Sequence, residues 1–216
     1  MKKTFYNKIG KRLLDIIISL AALPVFIIAF LIFAPIIYFT DRGPIFYNAQ
    51  RLGVGGKPFK MYKFRSMKVN APDIRNEDGS TYNGADDPRV TKIGRFMRNN
   101  SIDEIPQFLN VFIGNMSVIG PRPDPLSDMD IYTEEQKEKL SVKPGITGYN
   151  QAYYRNSVTQ DEKFDHDVQY AKNISFILDM KIFFKTIAIV LGHENIYNDA
   201  SEPAKEEMAI IEAYKE

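Results

Sequence analysis

Cysteine and tryptophan are absent from this chain of 216 residues, and histidine occurs only twice. Without cysteine the chain has no disulfides, no zinc–thiolate sites and no cysteine nucleophile. His166 and His193 are too few for a histidine metal cluster and offer little to a Ser-His-Asp relay. The net charge of +1 provides no bulk polycation, so composition does not indicate nucleic-acid binding. Catalysis in this chain therefore has to use carboxylates, lysine, arginine, tyrosine, serine or a bound metal.

Formal charge is absent from a long apolar stretch, Ile16 to Thr40. About 20 helical residues cross the hydrocarbon core of a bilayer, so this stretch is long enough to do so. Both flanks are basic: residues 1–15 carry five lysines and arginines, and residues 42–68 carry seven. The positive-inside bias draws both flanks to the cytoplasm, which a single straight span cannot satisfy. Because Pro24 removes a helical hydrogen bond, the pattern favours a re-entrant helix that breaks at Leu23-Pro24, with a kinked spanning helix as the alternative.

A β-hairpin is predicted after the apolar stretch. Residues 45–47 and the alternating residues 59–67 have the composition of strands, and the glycine-rich segment 51–57 connects them. A plain turn explains these glycines as well as a phosphate contact does. Lys63 and Arg65 stand two residues apart, which on a strand places both cations on one face. We predict that these two cations bind phosphate.

Four cations recur at every third position in a segment predicted to be helical over residues 89–99: Arg89, Lys92, Arg95 and Arg98. Residues three apart are neighbours on a helix surface, so the four cover one broad side. Arg89, Arg95 and Arg98 are therefore candidate phosphate ligands, and a solvated basic face is the alternative.

Two adjacent carboxylates, Asp103 and Glu104, follow at the start of a predicted amphipathic helix over residues 101–114. The dipole and free N–H groups at a helix start lower the pKa of a carboxylate and attract phosphate oxygens. The pair therefore suits an ionised nucleophile or a metal ligand. A capping box formed by Ser101 and Glu104 is the alternative. Pro106 falls past the first turn, so the helix starts later or begins with a distorted turn.

Prolines on both sides restrict the backbone of Arg122, in the sequence Gly120-Pro121-Arg122-Pro123. A fixed guanidinium with a planar, bidentate head suits phosphate binding. Further along the chain, residues 132–140 are predicted to form a charged surface helix and residues 160–172 another helix. Residues 175–191 are predicted to form an amphipathic helix that packs on the core or lies at the membrane surface.

Motifs in consistent order over about residues 8–192 closely resemble those of the bacterial sugar transferases known as monotopic phosphoglycosyl transferases. The matching runs are Lys11-Arg12-Leu13-Leu14-Asp15, Gly43-Pro44-Ile45-Phe46, Arg51-Leu52-Gly53, Lys63-Phe64-Arg65-Ser66-Met67, Asp87-Pro88-Arg89-Val90-Thr91, Ile93-Gly94-Arg95, Ser101-Ile102-Asp103-Glu104-Ile105-Pro106-Gln107, Asn110-Val111, Gly114-Asn115-Met116-Ser117, Gly120-Pro121-Arg122-Pro123 and Pro144-Gly145-Ile146-Thr147-Gly148. Many members carry a Ser-Pro pair at the helix break, whereas this chain has Leu23-Pro24 about one helical turn earlier.

The resemblance implies an enzyme that transfers a phosphosugar from a UDP-sugar to polyprenyl (undecaprenyl) phosphate, releases UMP and requires Mg²⁺. Asp103 would be the nucleophile that forms a covalent phosphosugar–aspartyl intermediate, which implies ping-pong kinetics. Glu104 would complete the dyad by helping to hold Mg²⁺ or by managing the proton of the incoming phosphate, and both carboxylates are candidate metal ligands. The re-entrant helix would hold the protein in the cytoplasmic leaflet of the bacterial inner membrane. The reaction would be the first membrane step of polysaccharide assembly, and a homodimer remains open.

These observations together predict an α+β protein. Residues 1–40 form a basic N-terminus and re-entrant membrane helix, and residues 198–216 form an acidic tail. Residues 41–197 form a small, mostly helical cytoplasmic catalytic domain with a short β-hairpin and amphipathic interfacial helices. Two other hypotheses compete with the transferase. One is a conventional glycosyltransferase without a covalent step, and the other is a membrane-tethered binding protein whose two carboxylates only cap a helix.

Overall fold

The computed structural model describes residues 4–76, 82–84, 86–154 and 158–192. Within these ranges the architecture is α+β and mostly helical, as predicted. The helices and strands, in chain order, are α1 (Lys11–Asp41), β1 (Phe46–Leu52), β2 (Pro58–Phe64), α2 (Lys92–Asn99), α3 (Gln107–Ile113), β3 (Ser117–Ile119), β4 (Gly145–Thr147), α4 (Tyr149–Tyr153), α5 (Gln160–Lys172) and α6 (Phe176–Gly192). A π-helical turn precedes α1, and short 3₁₀ segments lie at Val54–Gly56, Ile102–Glu104, Leu126–Asp130 and Gln136–Ser141.

The apolar helix α1 leaves most of its side chains exposed. Its 31 residues run through Pro24 and Pro35 without an interruption of the helix. Among the described residues, the helical segment that ends with α1 is the one long and apolar enough to cross a membrane. Leu23 and Pro24 both lie inside this continuous helix, and the helix is not interrupted there. The predicted break and the re-entrant geometry stay predictions.

The N-terminal end of α1 is tied to the domain that follows it. Arg12 donates hydrogen bonds to two of the last carbonyls around α3, Val111 O at 2.6 Å and Phe112 O at 2.9 Å. These carbonyls lack helical partners, and a cation is favoured there by the helix dipole. The buried carboxylate of Asp15 accepts a hydrogen bond from the backbone N–H of Val118 at 2.9 Å. The start of α1 is therefore fixed against α3 and β3.

The C-terminal end of α1 contacts the hairpin of the same domain. Arg65 forms a bidentate ion pair with Asp41, with nitrogen–oxygen distances of 2.6 and 2.5 Å. Earlier in α1, the ring of Phe26 stacks on Phe64 with 6.3 Å between the centroids. Both ends of α1 thus contact the domain that the rest of the chain forms.

The predicted hairpin is confirmed. β1 and β2 pair antiparallel from Phe46↔Phe64 to Leu52↔Pro58. The connection needs positive φ at Gly55 (65°) and Gly56 (74°), which glycine adopts without steric cost. A turn requirement therefore accounts for these glycines.

The predicted helix over residues 101–114 is divided into two pieces. A 3₁₀ turn, Ile102–Glu104, precedes α3, which begins only after Pro106, so the prediction of a later start is confirmed. The capping box is wrong, because Ser101 has a left-handed backbone (φ 54°) and its side chain makes no cap hydrogen bond. α2 begins normally, with the Thr91 hydroxyl accepting from Gly94 N at 3.0 Å.

The apolar residues of α3 form only part of the inner face that their spacing suggests, because Phe108 packs against buried core residues whereas Phe112 and Ile113 stay outside. Gln107, Asn110 and Val111 are the buried residues of this helix. Phe112 and Ile113 are 43% and 59% exposed. The same side of the domain carries the start of α1, so these apolar side chains lie next to the apolar helix rather than in the core.

The main core lies beneath the parallel pair β3–β4. Its buried members are Met61, Val111, Met116, Val118, Ile119, Ala152, Tyr170, Ile174 and Ile182. The two strands pair at Ser117↔Gly145 and Ile119↔Thr147. A Cβ at Gly145 would lie 2.1 Å from Gly120 N, so only glycine permits this close approach of the backbones.

Two of the three helices predicted after residue 130 are confirmed. α5 and α6 are confirmed, and α5 begins with a capping box formed by Thr159 and Glu162. The charged surface helix over residues 132–140 is wrong, because the segment is largely a 3₁₀ helix whose Lys139 is 2% exposed. Residues 193–216 lie outside the described residues, so the acidic tail and its predicted limit at residue 197 stay predictions. The predicted domain limit at residue 40 also stays a prediction.

Candidate active site

Two carboxylates with different exposure form the centre of the candidate site. Asp103 is buried at 6% exposure, whereas the side chain of Glu104 is 26% exposed. The left-handed Ser101 reverses the chain after α2, and the short 3₁₀ turn then presents both residues. The acidic pair therefore lies in the junction between α2 and α3, close to the end of β2.

Lys63 joins the two carboxylates. Its Nζ lies 2.6 Å from Glu104 Oε1 and 3.8 Å from Asp103 Oδ2. The alternation of β2 turns this side chain toward the turn that carries the dyad. Of the two cations predicted on this strand, Lys63 is the one that the structure brings to the carboxylates.

The two carboxylates have pKa values shifted in opposite directions. Burial raises the pKa of Asp103; Lys63 partly offsets this, and the charge of Glu104 adds to it. Burial also raises the pKa of Glu104, but attraction by Lys63 and Arg122 outweighs it, so the pKa is lowered. Because the two carboxylates interact, their titration steps belong to the pair as a whole. The lowered pKa expected for both from a helix start is therefore wrong for Asp103, where burial dominates.

Arg98 is a second cation close to the dyad. Its charge favours the ionised form of Asp103. Its Nε donates to Ser66 Oγ at 2.9 Å, which orients the guanidinium. Arg95, one turn earlier in α2, lies 3.7 Å from the exposed carboxylate of Asp86.

Arg122 lies on the open side of the site. Its side chain is exposed, and within the described residues it makes no hydrogen bond or ion pair. Its charge lowers the pKa of Glu104. The buried Pro121 and Pro123 hold its backbone. A shallow cleft beside Arg122 is lined by Leu52, Gly53, Pro121, Leu140, Val142 and Pro144.

Arg65 and Arg89, both predicted to bind phosphate, point into the protein. Arg65 lies beyond the end of β2 and donates to Asp41 and to Pro44 O at 2.6 Å. Arg89 is 1% exposed and donates to both carboxylate oxygens of Asp87. Their guanidinium groups are used by internal partners, so we reassign both residues to the framework of the site.

A buried ionic cluster behind Arg122 was not predicted. Lys139 Nζ lies 2.5 Å from Asp124 Oδ2 and 2.7 Å from Asp167 Oδ2. Tyr132 donates to Asp124 at 2.6 Å, and the backbone N–H of Leu52 donates to Asp124 O at 2.9 Å. The cluster fixes the segment that follows Arg122. No pattern in the sequence separates Lys139 from its exposed charged neighbours.

The dyad is a suitable partial ligand set for Mg²⁺. Mg²⁺ is usually held by one or two carboxylates together with substrate phosphates and water. Asp103 and Glu104 supply such oxygens, with Glu104 reaching solvent. No group of three or more histidine or carboxylate side chains that could hold a metal occurs among the described residues. The donor set therefore fits a metal that is shared with a phosphorylated substrate.

A family model described as bacterial sugar transferase matches residues 6–193. The chain belongs to the bacterial sugar transferase family. The match includes the dyad, Lys63, Arg98 and Arg122, so the whole candidate site lies within the region that defines the family.

Curated relatives of the family differ in length. The galactosyl transferase CpsE of Streptococcus agalactiae serotype III (strain NEM316) is 42% identical over 87% of this chain, which spans 43% of that relative. The UDP-glucose:undecaprenyl-phosphate glucose-1-phosphate transferase of Klebsiella pneumoniae is 38% identical over 84% of this chain, which spans 40% of it. The uncharacterized sugar transferase EpsL of Bacillus subtilis (strain 168) is 40% identical over 86% of this chain, and 89% of EpsL is covered. The chain thus spans less than half of the first two relatives and most of the third.

Proposed function

We propose that this chain transfers a phosphosugar from a UDP-sugar to undecaprenyl phosphate, giving undecaprenyl-diphosphate-sugar and UMP. The observation that carries the proposal is a buried Asp103 beside the partly exposed Glu104, with Lys63 between them. Arg122 lies at the opening and makes no hydrogen bond or ion pair among the described residues. The name of the Klebsiella pneumoniae relative, which specifies UDP-glucose, undecaprenyl phosphate and glucose-1-phosphate transfer, supports this reaction class.

The first half-reaction is a displacement at the phosphorus that carries the sugar. A carboxylate oxygen of Asp103 forms a bond to that phosphorus, and the bond to the bridging oxygen breaks. The bridging oxygen keeps the electron pair and leaves as part of UMP. The product on the protein is an acyl phosphate, which is a reactive form of covalent intermediate.

The second half-reaction regenerates Asp103. An oxygen of undecaprenyl phosphate attacks the same phosphorus, and the bond to the Asp103 oxygen breaks with its electron pair returning to the carboxylate. Glu104 is ionised and partly exposed, so it can accept the proton of an incoming phosphate. Because each half uses one substrate, we expect ping-pong kinetics.

The cations around the dyad stabilise negative charge. Lys63 and Arg98 favour the ionised form of Asp103, which offsets part of its burial. Arg122, which has a free guanidinium in the described structure, is available for a phosphate of the donor. Asp103 and Glu104 would hold Mg²⁺, and the bound ion would neutralise part of the negative charge of the phosphates.

Contacts at both ends of α1 support a re-entrant insertion from the cytoplasmic side of the bacterial inner membrane. A helix that crosses a hydrocarbon core of about 30 Å has its ends on opposite sides. Arg12 at one end and Asp41 at the other nevertheless contact the same domain. A bend near Pro24 would return the chain to the side from which it entered. Exposed Phe112 would then reach the lipid surface beside the start of α1.

A reconstituted assay tests the reaction directly. The purified full chain in lipid nanodiscs, with Mg²⁺ and undecaprenyl phosphate, should release UMP from at least one member of a panel of UDP-sugars. Asp103→Asn should lower the rate by about a thousandfold or more, because it removes the nucleophile. Asp86→Asn, at an exposed carboxylate outside the dyad, is the matched control and should keep the rate. No UMP from any sugar, or near-normal turnover by Asp103→Asn, contradicts the proposal.

The topology is tested by cysteine labelling, for which the natural chain provides a cysteine-free background. Thr4→Cys and Asn70→Cys should both react with an impermeant reagent only from the cytoplasmic side. Labelling of the two positions from opposite sides would contradict the re-entrant insertion.

A further inference from the structure

A second cation, Arg51, lies on the hairpin face that carries Lys63. The register pairs Tyr47 with Lys63 and Arg51 with Phe59. Because side chains alternate between the two faces of a strand, Tyr47 and Arg51 share the face of Lys63. Arg51 is the last position of that face in β1, at the edge nearest the Arg122 segment.

Backbone contacts place Arg51 beside Arg122. The N–H of Leu52, the next residue, donates to Asp124 O at 2.9 Å, and Asp124 is two residues beyond Arg122. The guanidinium of Arg51 is half-buried, and burial together with the positive charge of Arg122 lowers the pKa of Arg51. An arginine stays protonated nonetheless. Two fixed positive charges are therefore held close together at the opening of the site.

Neither Arg51 nor Arg122 forms an ion pair within the described residues. Among the residues that the structure describes, Arg51 makes no hydrogen bond and no ion pair. Asp124 is an acidic neighbour of Arg51, but its Oδ2 already accepts from Lys139 at 2.5 Å and from Tyr132 at 2.6 Å. A half-buried cation such as Arg51 beside a second cation costs free energy, and a bound anion would offset that cost.

We propose that Arg51 is a further substrate-binding residue, which with Arg122 binds the phosphate that leaves with the nucleoside. This inference rests on the proposed function. When the Asp103 oxygen bonds to the sugar-bearing phosphorus, the bridging oxygen departs with its electron pair on the far side of that phosphorus. Negative charge therefore develops on the nucleoside monophosphate, away from Asp103.

The order of the cations favours this assignment. Lys63 contacts both carboxylates, whereas Arg51 pairs with Phe59, four residues along β2 from Lys63, and lies next to the segment that carries Arg122. Arg51 thus lies farther along the hairpin from the nucleophile than Lys63 does. An in-line displacement places the leaving phosphate at that distal position. A planar guanidinium can hold two of its oxygens at once.

Steady-state kinetics of the full chain in nanodiscs test the inference. In Arg51→Met, the KM for the UDP-sugar and the inhibition constant of UMP should both rise about 10- to 100-fold, as expected for loss of a charge-assisted hydrogen bond. The kcat/KM for undecaprenyl phosphate should stay unchanged, because this ratio depends only on the half-reaction that follows UMP release. Arg51→Lys should give a smaller rise, because it keeps the charge and loses the bidentate geometry. Lys60→Met, which changes an exposed cation on the opposite face of the same hairpin, is the control and should leave all three constants unchanged.

Calorimetric binding of UMP and of inorganic pyrophosphate separates this inference from the proposed function. If the wild-type chain releases no UMP from any UDP-sugar but binds these ligands in an Arg51-dependent manner, the reaction is wrong and the anion site stands. If a folded Arg51→Met, with the melting curve of the wild type, binds UMP and turns over UDP-sugar with unchanged constants, Arg51 is not a ligand of the leaving phosphate.

Discussion

Replacement of Lys63 by methionine should move the acid limb of the pH–activity profile to higher pH. The positive charge of Lys63 favours the ionised form of Asp103, whose pKa is already raised by burial. Without that charge the pKa of Asp103 rises further. A larger fraction of Asp103 is then protonated, and unable to attack phosphorus, at any acidic pH.

The geometry sets the size of this shift. At the 3.8 Å that separates Lys63 Nζ from Asp103 Oδ2, and with an effective dielectric constant of about 20, two unit charges interact by about 4 kcal/mol. This energy corresponds to about 3 pH units. Glu104 shares the charge of Lys63, and water enters the space that the ammonium vacates, so we expect a shift of about 1 to 2 pH units.

The assay is the pH dependence of kcat/KM for the UDP-sugar, which reports groups of the free enzyme. Lys63→Arg should hold the limb near its wild-type position, because it keeps a positive charge near Asp103. Lys60→Met should leave it unmoved. If Lys63→Met lowers kcat/KM equally at every pH without moving the limb, then Lys63 does not control the ionisation of Asp103.

Three further outcomes are expected. Lys139→Met should lower the free energy of unfolding by about 3 to 5 kcal/mol in chemical denaturation, because two buried carboxylates lose their partner. Lys137→Met, at a more exposed cation two residues earlier, should change it by less than about 1 kcal/mol. Arg89→Met should lower the melting temperature, because the guanidinium pairs with buried Asp87. The folded enzyme that remains should keep its KM for the UDP-sugar. A rise in this KM without a loss of stability would restore the predicted phosphate-binding role of Arg89. Phe112→Trp, which introduces the sole tryptophan of the chain, should be quenched by lipids brominated in their acyl chains, whereas Lys137→Trp should not; equal quenching would contradict membrane contact by α3.

The elements that could be predicted from sequence are those set by local chemistry. The hairpin follows from two alternating segments around glycines that adopt positive φ, and α5 follows from a capping box at Thr159. The candidate dyad could also be found, because adjacent acids between basic segments and a proline-clamped arginine are uncommon together. These signals need no knowledge of distant contacts.

The direction in which a charged side chain points could not be predicted. Arg89 and Arg98 stand in the same spaced series, yet Arg89 is enclosed with Asp87 whereas Arg98 reaches the dyad. Lys139 resembles its exposed neighbours in sequence, but it neutralises Asp124 and Asp167 from other segments. In each case the deciding partner comes from the tertiary structure.

Periodicity also failed in part for α3. An apolar stripe normally marks the core-facing side of a helix. In α3 the inner positions are instead filled by Asn110, which accepts from the backbone N–H of Tyr62 at 2.8 Å and donates to Lys60 O at 2.7 Å. The apolar Phe112 and Ile113 remain outside. Spacing alone therefore does not distinguish apolar side chains that pack in the core from those that stay exposed.

The central claim is that Asp103 forms a covalent bond to the phosphosugar. The most direct measurement is mass spectrometry of the full chain after incubation with the UDP-sugar and Mg²⁺ in the absence of undecaprenyl phosphate. We expect one phosphosugar adduct on the peptide that contains Asp103, its absence in Asp103→Asn, and its loss when undecaprenyl phosphate is added. An unmodified Asp103 peptide, together with UMP release that occurs only when the acceptor is present, would contradict the account.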